Sequence, residues 1–233
     1  MKATAIIVSA GQGRRFGGNI PKNFLSLCGR PMLLRTVDRF LAARTIDNLI
    51  IVVAADQLSR AGAMLDEDAA QKKAGAYLLQ SGGATRQESV RRGLEMTGAD
   101  CDIVVIHDGA RPFVSPELID RCVEAARDKG AVVAGLPARD TIKLVSPDGS
   151  IESTPPRELL WEIQTPQAFR HEIISAAHEW AARTGVEATD DAALVEKKRE
   201  RVFVLEGERS NLKITFADDF WLAETMLQQG RIS

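Results

Sequence analysis

The sequence predicts an α/β protein with a doubly wound, mostly parallel Rossmann-like sheet and one inserted β-hairpin arm. Three observations predict it. Short runs of Val, Ile and Leu alternate along the chain with segments of helical periodicity. Most of those runs are continuously apolar, as in strands buried on both faces. The first run leads into a glycine-rich segment, Ser9-Ala-Gly-Gln-Gly-Arg-Arg-Phe-Gly17, with Pro21-Lys22-Asn23 close behind.

In chain order, Ala3–Ser9 reads as a buried strand and Pro31–Ala43 as a helix with Pro31 at its start. Leu49–Ala54, Ala76–Gln80 and Ile103–His107 are further strands; Gln57–Lys73 and Arg86–Met96 are the helices between them. The helix Pro116–Lys129 starts on a proline and stops before Gly130, and the strand Ala131–Leu136 follows. Glu172–Arg183, Asp190–Lys198 and Ala217–Gln229 read as helices, with Val202–Leu205 as the last strand. One segment, 140–165, breaks the alternation. Two alternating runs flank Pro147-Asp148-Gly149, which is a hairpin signal. The expected organisation is a single domain over 1–233, with 138–160 as a β-arm. On pattern alone the arm is a lid, a contact for a partner subunit or a plain edge hairpin.

Bulk composition narrows the function. Hydrophobic residues make up 45% of the chain, enough for a full core. Lys and Arg number 30 against 32 Asp and Glu, so no basic excess points to nucleic acid. Cys28, Cys101 and Cys122 are far apart with no C-x-x-C, which argues against disulfides or zinc and for a reducing, cytoplasmic setting. The N-terminus carries no basic region and no signal peptide is expected. The apolar runs are too short for a membrane span, and no fused domain is expected after Ser233.

Arg14, Arg15 and Lys22 give the glycine loop three local cations. Glycines let backbone N–H groups approach a ligand, and clustered cations demand an anion, so a triphosphate suits both. The spacing is not that of a P-loop, since no Gly-Lys pair exists. It is not a dinucleotide fingerprint either, because Phe16 stands where the third glycine belongs. Ligands on such sheets bind at the carboxyl ends of strands, which puts Gly11, Gly82-Gly83 and Asp108 on one edge.

Asp108 follows the strand Ile103–His107 and is placed to hold Mg²⁺, which takes one or two carboxylates plus phosphate oxygens. Its other reading is a helix cap or a partner of Arg111. His107 reads as a packing or supporting residue rather than a base. Gly82 to Ser89 reads as a loop and N-cap whose glycines can admit a nucleobase edge. Thr189-Asp190-Asp191 reads as a helix N-cap with dipole-favoured acids, and Lys213, on a short apolar run, as solvated surface. His107, His171 and His178 lack metal-ligand spacing, and no Ser-His-Asp order or H-E-x-x-H motif occurs. Electrostatic phosphate chemistry is therefore favoured over acid–base or nucleophilic catalysis.

The ordered motifs carry a resemblance. They are Ser9-Ala-Gly-x-Gly-x-Arg15 with Pro21-Lys22, Gly83-x-x-Arg86-x-x-Ser89-Val90 and His107-Asp-Gly-Ala-Arg-Pro-Phe113. Asp140-Thr-Ile-Lys143, Gln164-Thr-Pro-Gln167, Ala188-Thr-Asp-Asp191 and Asn211-x-Lys213-Ile-Thr215 follow. Together they resemble the 2-C-methyl-D-erythritol 4-phosphate cytidylyltransferase family of the non-mevalonate isoprenoid pathway. The resemblance implies CTP and a polyol phosphate as partners, Mg²⁺ as cofactor and a homodimer. It implies that Arg15 and Lys22 bind the triphosphate and stabilise the transition state. Lys213 would sit on the α-phosphate and Asp108 on Mg²⁺. Ala10, Gly11, Gly13, Gly83, Arg86 and Ser89 would bind the nucleotide. Thr141 and Arg157 would reach the acceptor from the partner's arm, with Thr165 and Thr189 completing the pocket. Asn23 and Ala84 depart from the family's usual residues without removing a phosphate ligand. A related enzyme acting on ribitol 5-phosphate, or a non-catalytic nucleotide-binding module, would share these features. The chemistry needs no general base, because a phosphate monoester with a second pKa of about 6 is already an anion at neutral pH.

Overall fold

The computed structural model of the chain describes residues 1–11, 21–72 and 77–232, without the side chains of 69–72. Its elements run β1 (Lys2–Ser9), β2 (Ser26–Leu27), β3 (Arg30–Pro31), α1 (Met32–Ala42), β4 (Asn48–Val53), α2 (Leu58–Lys72), β5 (Tyr77–Ser81), α3 (Arg86–Leu94) and β6 (Cys101–Asp108). Then come α4 (Pro116–Lys129), β7 (Ala131–Pro137), β8 (Leu144–Val145), β9 (Ile151–Ser153), β10 (Trp161–Arg170), α5 (His171–Thr184), α6 (Asp191–Lys197), β11 (Phe203–Glu206) and α7 (Ala217–Gln228).

Seven strands form one sheet in the order β11-β7-β10-β6-β1-β4-β5. β6, β1, β4 and β5 pair in parallel, as do β7 and β11. All six predicted strands are in this sheet, which is the expected doubly wound, mostly parallel class. The strand order reverses direction between β1 and β6, a topological switch point of the kind that binds ligands.

β10 is the departure from the sequence reading. It runs antiparallel between β6 and β7, although the segment 140–165 reads as an insertion. Pro166 and the polar Gln164, Thr165 and Gln167 hide it, because proline cannot donate to a ladder and normally marks an edge. Its register slips between Ile163 and Gln167, around a cis Thr165–Pro166 peptide. Burial explains its membership: Gln164 to Phe169 are all buried under flanking helices. The hairpin signal itself corresponds to β8 and β9, paired around Gly149.

Side-chain alternation along β1 splits the core into two layers. Ala3, Ala5 and Ile7 face α1, α2 and α4, packing with Val37, Phe40, Leu65 and Leu118. Ile6 faces α3, α5 and α6, packing with Val90, Ile174 and Leu194. Helix boundaries follow local chemistry: the Ser115 hydroxyl caps α4 by accepting from Leu118 N–H, Pro116 starts it and Gly130 at φ 87° ends it. A third, smaller cluster joins Leu27, Met32, Ala110, Phe113, Ile214 and Ala223, and ties α7 to the mouth of the sheet.

Candidate functional site: a cation-lined cavity at the switch point

A cavity of about 750 Å³ opens at the carboxyl ends of β1, β4, β5 and β6. Ala10, Gly11, Lys22, Gly83, Arg86, Ser89, Asp108 and Lys213 all line it. Those eight expected site residues come from five separate stretches of the sequence. Gly13 and Arg15 lie outside the described residues. Four others are elsewhere. Thr189 is exposed ahead of α6, and Thr141 and Arg157 are exposed on the arm, where Arg157 donates to the carbonyl of Arg139 at 3.0 Å. Thr165 is buried behind the cavity wall.

The sheet places Asp108 directly. It is the last residue of β6, paired in register with Val8, and Gly109 N–H continues the ladder by donating to Val8 C=O at 2.9 Å. A Cβ on Gly109 would fall 1.9 Å from Ser9 Oγ, so only glycine lets the two strand ends lie this close. The Asp108 carboxylate faces two cations. Oδ1 lies 3.2 Å from Arg86 Nε and Oδ2 lies 2.7 Å from Lys213 Nζ. Burial alone would raise its pKa; Arg86 and Lys213 outweigh burial and hold it below the usual carboxylate range. Arg111, the partner considered from sequence, donates instead to the carbonyl of Asn211 at 2.7 Å.

Arg86 is the hinge of a longer chain of charges. Its Nη1 lies 2.7 Å from Oδ2 of the buried Asp191, whose Oδ1 lies 3.0 Å from His178 Nε2. Desolvation opposes the Arg86 cation, but Asp191 and Asp108 overcome it and raise its pKa. Asp190, not Asp191, caps α6 by accepting from Ala193 N–H, which leaves Asp191 free for Arg86. Reading Thr189-Asp190-Asp191 as a cap thus finds one of the two acids. The second was missed because only the packing of α3, α5 and α6 into one layer on the same face of the sheet brings Arg86 to it.

Lys213 and Lys22 arrive from opposite ends of the chain. Lys22 Nζ donates to the carbonyl of Ile214 at 2.8 Å, and Ile214 N–H donates to Ala110 C=O at 2.9 Å. Ile214 is fully buried in the third cluster, which anchors its neighbour Lys213 at the cavity rim. Asn23, one of the departures noted above, donates from Nδ2 to Ser9 C=O at 2.8 Å and pins the Lys22 segment to the end of β1.

His107 supports the site from below. It is fully buried, and burial pushes its pKa down to about 4, so it is neutral near pH 7. Thr165 Oγ1 accepts from Asp108 N–H at 3.1 Å and lies 3.0 Å from His107 Nδ1. The hydroxyl proton then goes to Nδ1, and Nε2–H donates to Arg111 C=O at 3.1 Å. His107 and Thr165 therefore fix the backbone of Asp108 and Arg111, in agreement with a supporting role for the histidine.

Among the described residues no group of three or more His, Cys, Asp or Glu could cage a metal. Two carboxylates, Asp56 and Asp108, line the cavity, and Asp108 is the one held between Arg86 and Lys213. Mg²⁺ characteristically keeps waters and takes one or two carboxylates plus substrate phosphates. Asp108 fits that donor set.

A cation-lined cavity on a doubly wound sheet, with Asp108 set between Arg86 and Lys213 and no nucleophile–base pair among the described residues, belongs to an enzyme of the nucleotidyltransferase class. The model of the 2-C-methyl-D-erythritol 4-phosphate cytidylyltransferase family matches residues 3–229. A protein of that name from Dehalococcoides mccartyi is 43% identical over 230 residues, covering 99% of this chain and 98% of that one. One from Syntrophotalea carbinolica is 44% identical, covering 97% of each. A crystal structure of 4-diphosphocytidyl-2C-methyl-D-erythritol synthase from Anaerococcus prevotii superposes with a TM-score of 0.85 at 33% identity, over 97% of this chain and 96% of that one. The chain belongs to the 2-C-methyl-D-erythritol 4-phosphate cytidylyltransferase family.

Proposed function

We propose that this enzyme joins CTP to 2-C-methyl-D-erythritol 4-phosphate, releasing pyrophosphate and the CDP-alditol, as a step of isoprenoid precursor synthesis. The observation that carries the reading is the convergence of Lys22, Arg86, Asp108 and Lys213 on one switch-point cavity in a chain of this family. An oxygen of the acceptor's phosphate attacks the α-phosphorus of CTP. The bond from that phosphorus to the β-phosphate bridge breaks, and pyrophosphate leaves with the electron pair. No proton need be removed from the attacking group, which matches a neutral, buried His107 with no access to substrate.

Charge neutralisation is then the protein's main task. Lys22, with Arg15, binds the triphosphate, and Lys213 balances charge developing on the α-phosphate. Asp108 would hold Mg²⁺, which would neutralise phosphate charge and orient the leaving group. Ala10, Gly11, Gly13, Gly83, Arg86 and Ser89 form the nucleotide's seat. Thr165 acts through the Asp108 backbone.

The arm is assigned to a second copy. Thr141 and Arg157 are exposed and away from their own cavity, beside Ile142, Leu144, Val145, Ile151 and Leu159, each at least 41% exposed. An apolar row of that kind fits a protein partner, so the arm, with Thr141 and Arg157, serves the neighbouring site of a homodimer. Thr189 is assigned to the rim of the acceptor pocket. Among the described residues no helix is long and apolar enough to cross a membrane, and the reaction is assigned to the cytoplasm as part of this reading.

The test is a pyrophosphate-release screen of the four ribonucleoside triphosphates against methylerythritol 4-phosphate, ribitol 5-phosphate and other polyol phosphates. Release with CTP and methylerythritol 4-phosphate far above all other pairs is expected. Preference for ribitol 5-phosphate would move the acceptor, and no release with any pair would leave only a nucleotide-binding module.

A further inference from the structure

On the cavity wall, the backbone donors of Gly82, Gly83 and Ala84 are all committed within the protein. Gly82 N–H donates to Val53 C=O at 2.7 Å, and Gly83 N–H donates to Ser89 Oγ at 3.1 Å. Ala84 N–H donates to Glu88 Oε2 at 2.8 Å. Arg92 braces the arrangement from one turn on: its Nη1 donates to Gly82 C=O at 2.8 Å and its Nη2 to Glu88 Oε1 at 2.7 Å. Among the described residues no donor reaches the carbonyl of Gly83 or Ala84. A Cβ on Gly83 would fall 2.2 Å from Glu88 Cδ, so the Glu88 side chain occupies the place a residue-83 side chain would need.

We propose that Glu88 and Arg92 are positioning residues that set base selectivity: Glu88, clamped by Arg92, takes the Ala84 N–H and leaves the carbonyls of Gly83 and Ala84 as the open polar groups of that stretch of wall. The inference rests on the cytidylyltransferase reading above. Two open carbonyls beside committed N–H groups favour a base edge with an amino group, such as N4 of cytosine, over one with a carbonyl, such as O4 of uracil. Rejection is strong when a mismatched base leaves a polar group unpaired. Glu88 and Arg92 are each about one-third exposed and form an i,i+4 pair, which contributes little to stability. Their loss is therefore expected to alter selectivity while α3 stays folded.

The experiment compares kcat/KM for CTP and UTP, with methylerythritol 4-phosphate as acceptor, in wild type, Glu88→Ala, Glu88→Gln and Arg92→Ala. Glu88→Ala frees the Ala84 N–H, and the CTP/UTP ratio is expected to fall about tenfold or more, chiefly by a gain on UTP. Glu88→Gln keeps an amide oxygen for the Ala84 N–H and is expected to retain most of the ratio. An unchanged ratio in Glu88→Ala overturns the proposal. Should that variant not fold, an unchanged ratio in Arg92→Ala, which unclamps Glu88 and Gly82, overturns it equally. A wild type that uses CTP while both variants keep its ratio sinks the brace alone; a wild type inactive with CTP sinks the cytidylyltransferase reading itself.

Discussion

Lys213 Nζ lies 2.7 Å from Asp108 Oδ2, so the candidate α-phosphate ligand and the candidate metal ligand touch each other before substrate arrives. The acid keeps the lysine at the rim, and the lysine helps keep the acid ionised. A phosphate entering the cavity is expected to compete with Asp108 for the ammonium, while Mg²⁺ competes with the ammonium for the acid.

Lys213→Ala and Lys22→Ala are expected to lower kcat on the order of 10²–10³-fold, the usual cost of removing one stabiliser of transition-state charge. Circular dichroism should show both variants folded, and steady-state pyrophosphate release measures the loss. Near-normal turnover in either would remove that lysine from the charge assignment.

Asp108→Asn keeps the shape of the side chain and deletes its charge. Arg86 and Lys213 then face each other without the intervening anion. Activity is expected to fall steeply and to demand much more Mg²⁺ for half-maximal rate. A magnesium titration that overlays the wild type would place the metal elsewhere.

The buried Asp191 holds Arg86 at 2.7 Å and His178 at 3.0 Å. Asp191→Asn is expected to cost on the order of 3 kcal/mol, because it leaves Arg86 with Asp108 as its remaining acid. Urea unfolding of the variant measures this. A midpoint equal to wild type would mean that the pair contributes nothing net.

His107 links stability to pH. Its pKa falls from 6.5 to about 4 on folding, so between those values the unfolded chain binds the extra proton. The contribution of the neutral imidazole is complete above pH 6.5 and is lost as pH falls towards 4, at most roughly 3 kcal/mol. Denaturant unfolding at pH 7 and pH 5 should show this loss in wild type and less of it in His107→Gln. The acidic limb of activity, set near pH 6 by the substrate's phosphate, should stay in place in that variant. A limb that moved would make the histidine a proton carrier.

If the arm serves a neighbouring subunit, Arg157→Ala and Lys213→Ala damage the same site from different chains. Mixing the two inactive proteins under conditions of subunit exchange should restore part of the activity, since one site of each heterodimer is intact. No recovery after confirmed exchange would put Arg157 in its own subunit's site.

Local patterns already determine much of this protein. Continuous apolar runs mark β1, β4, β6 and β7, because strands buried on both faces need apolar residues throughout, and shorter runs mark the half-exposed edge strands β5 and β11. Proline and glycine punctuate α4 for reasons confined to a few bonds. The glycine loop, Lys22, Asp108 and Lys213 are visible because their residue types suit phosphate, and the resemblance supplies their grouping. Tertiary structure decides what depends on distant partners. β10 is a central strand despite Pro166, since burial beneath helices outweighs its poor local propensity. Arg86 pairs with Asp191 across 105 residues only once α3 and α6 pack on the same face. His107 becomes neutral because the core closes over it, and Thr165 reaches the backbone of Asp108 only because β10 lies beside β6. Periodicity reports which face of an element is buried; which side chain meets which depends on the sheet order, and that is settled by burial across the whole chain.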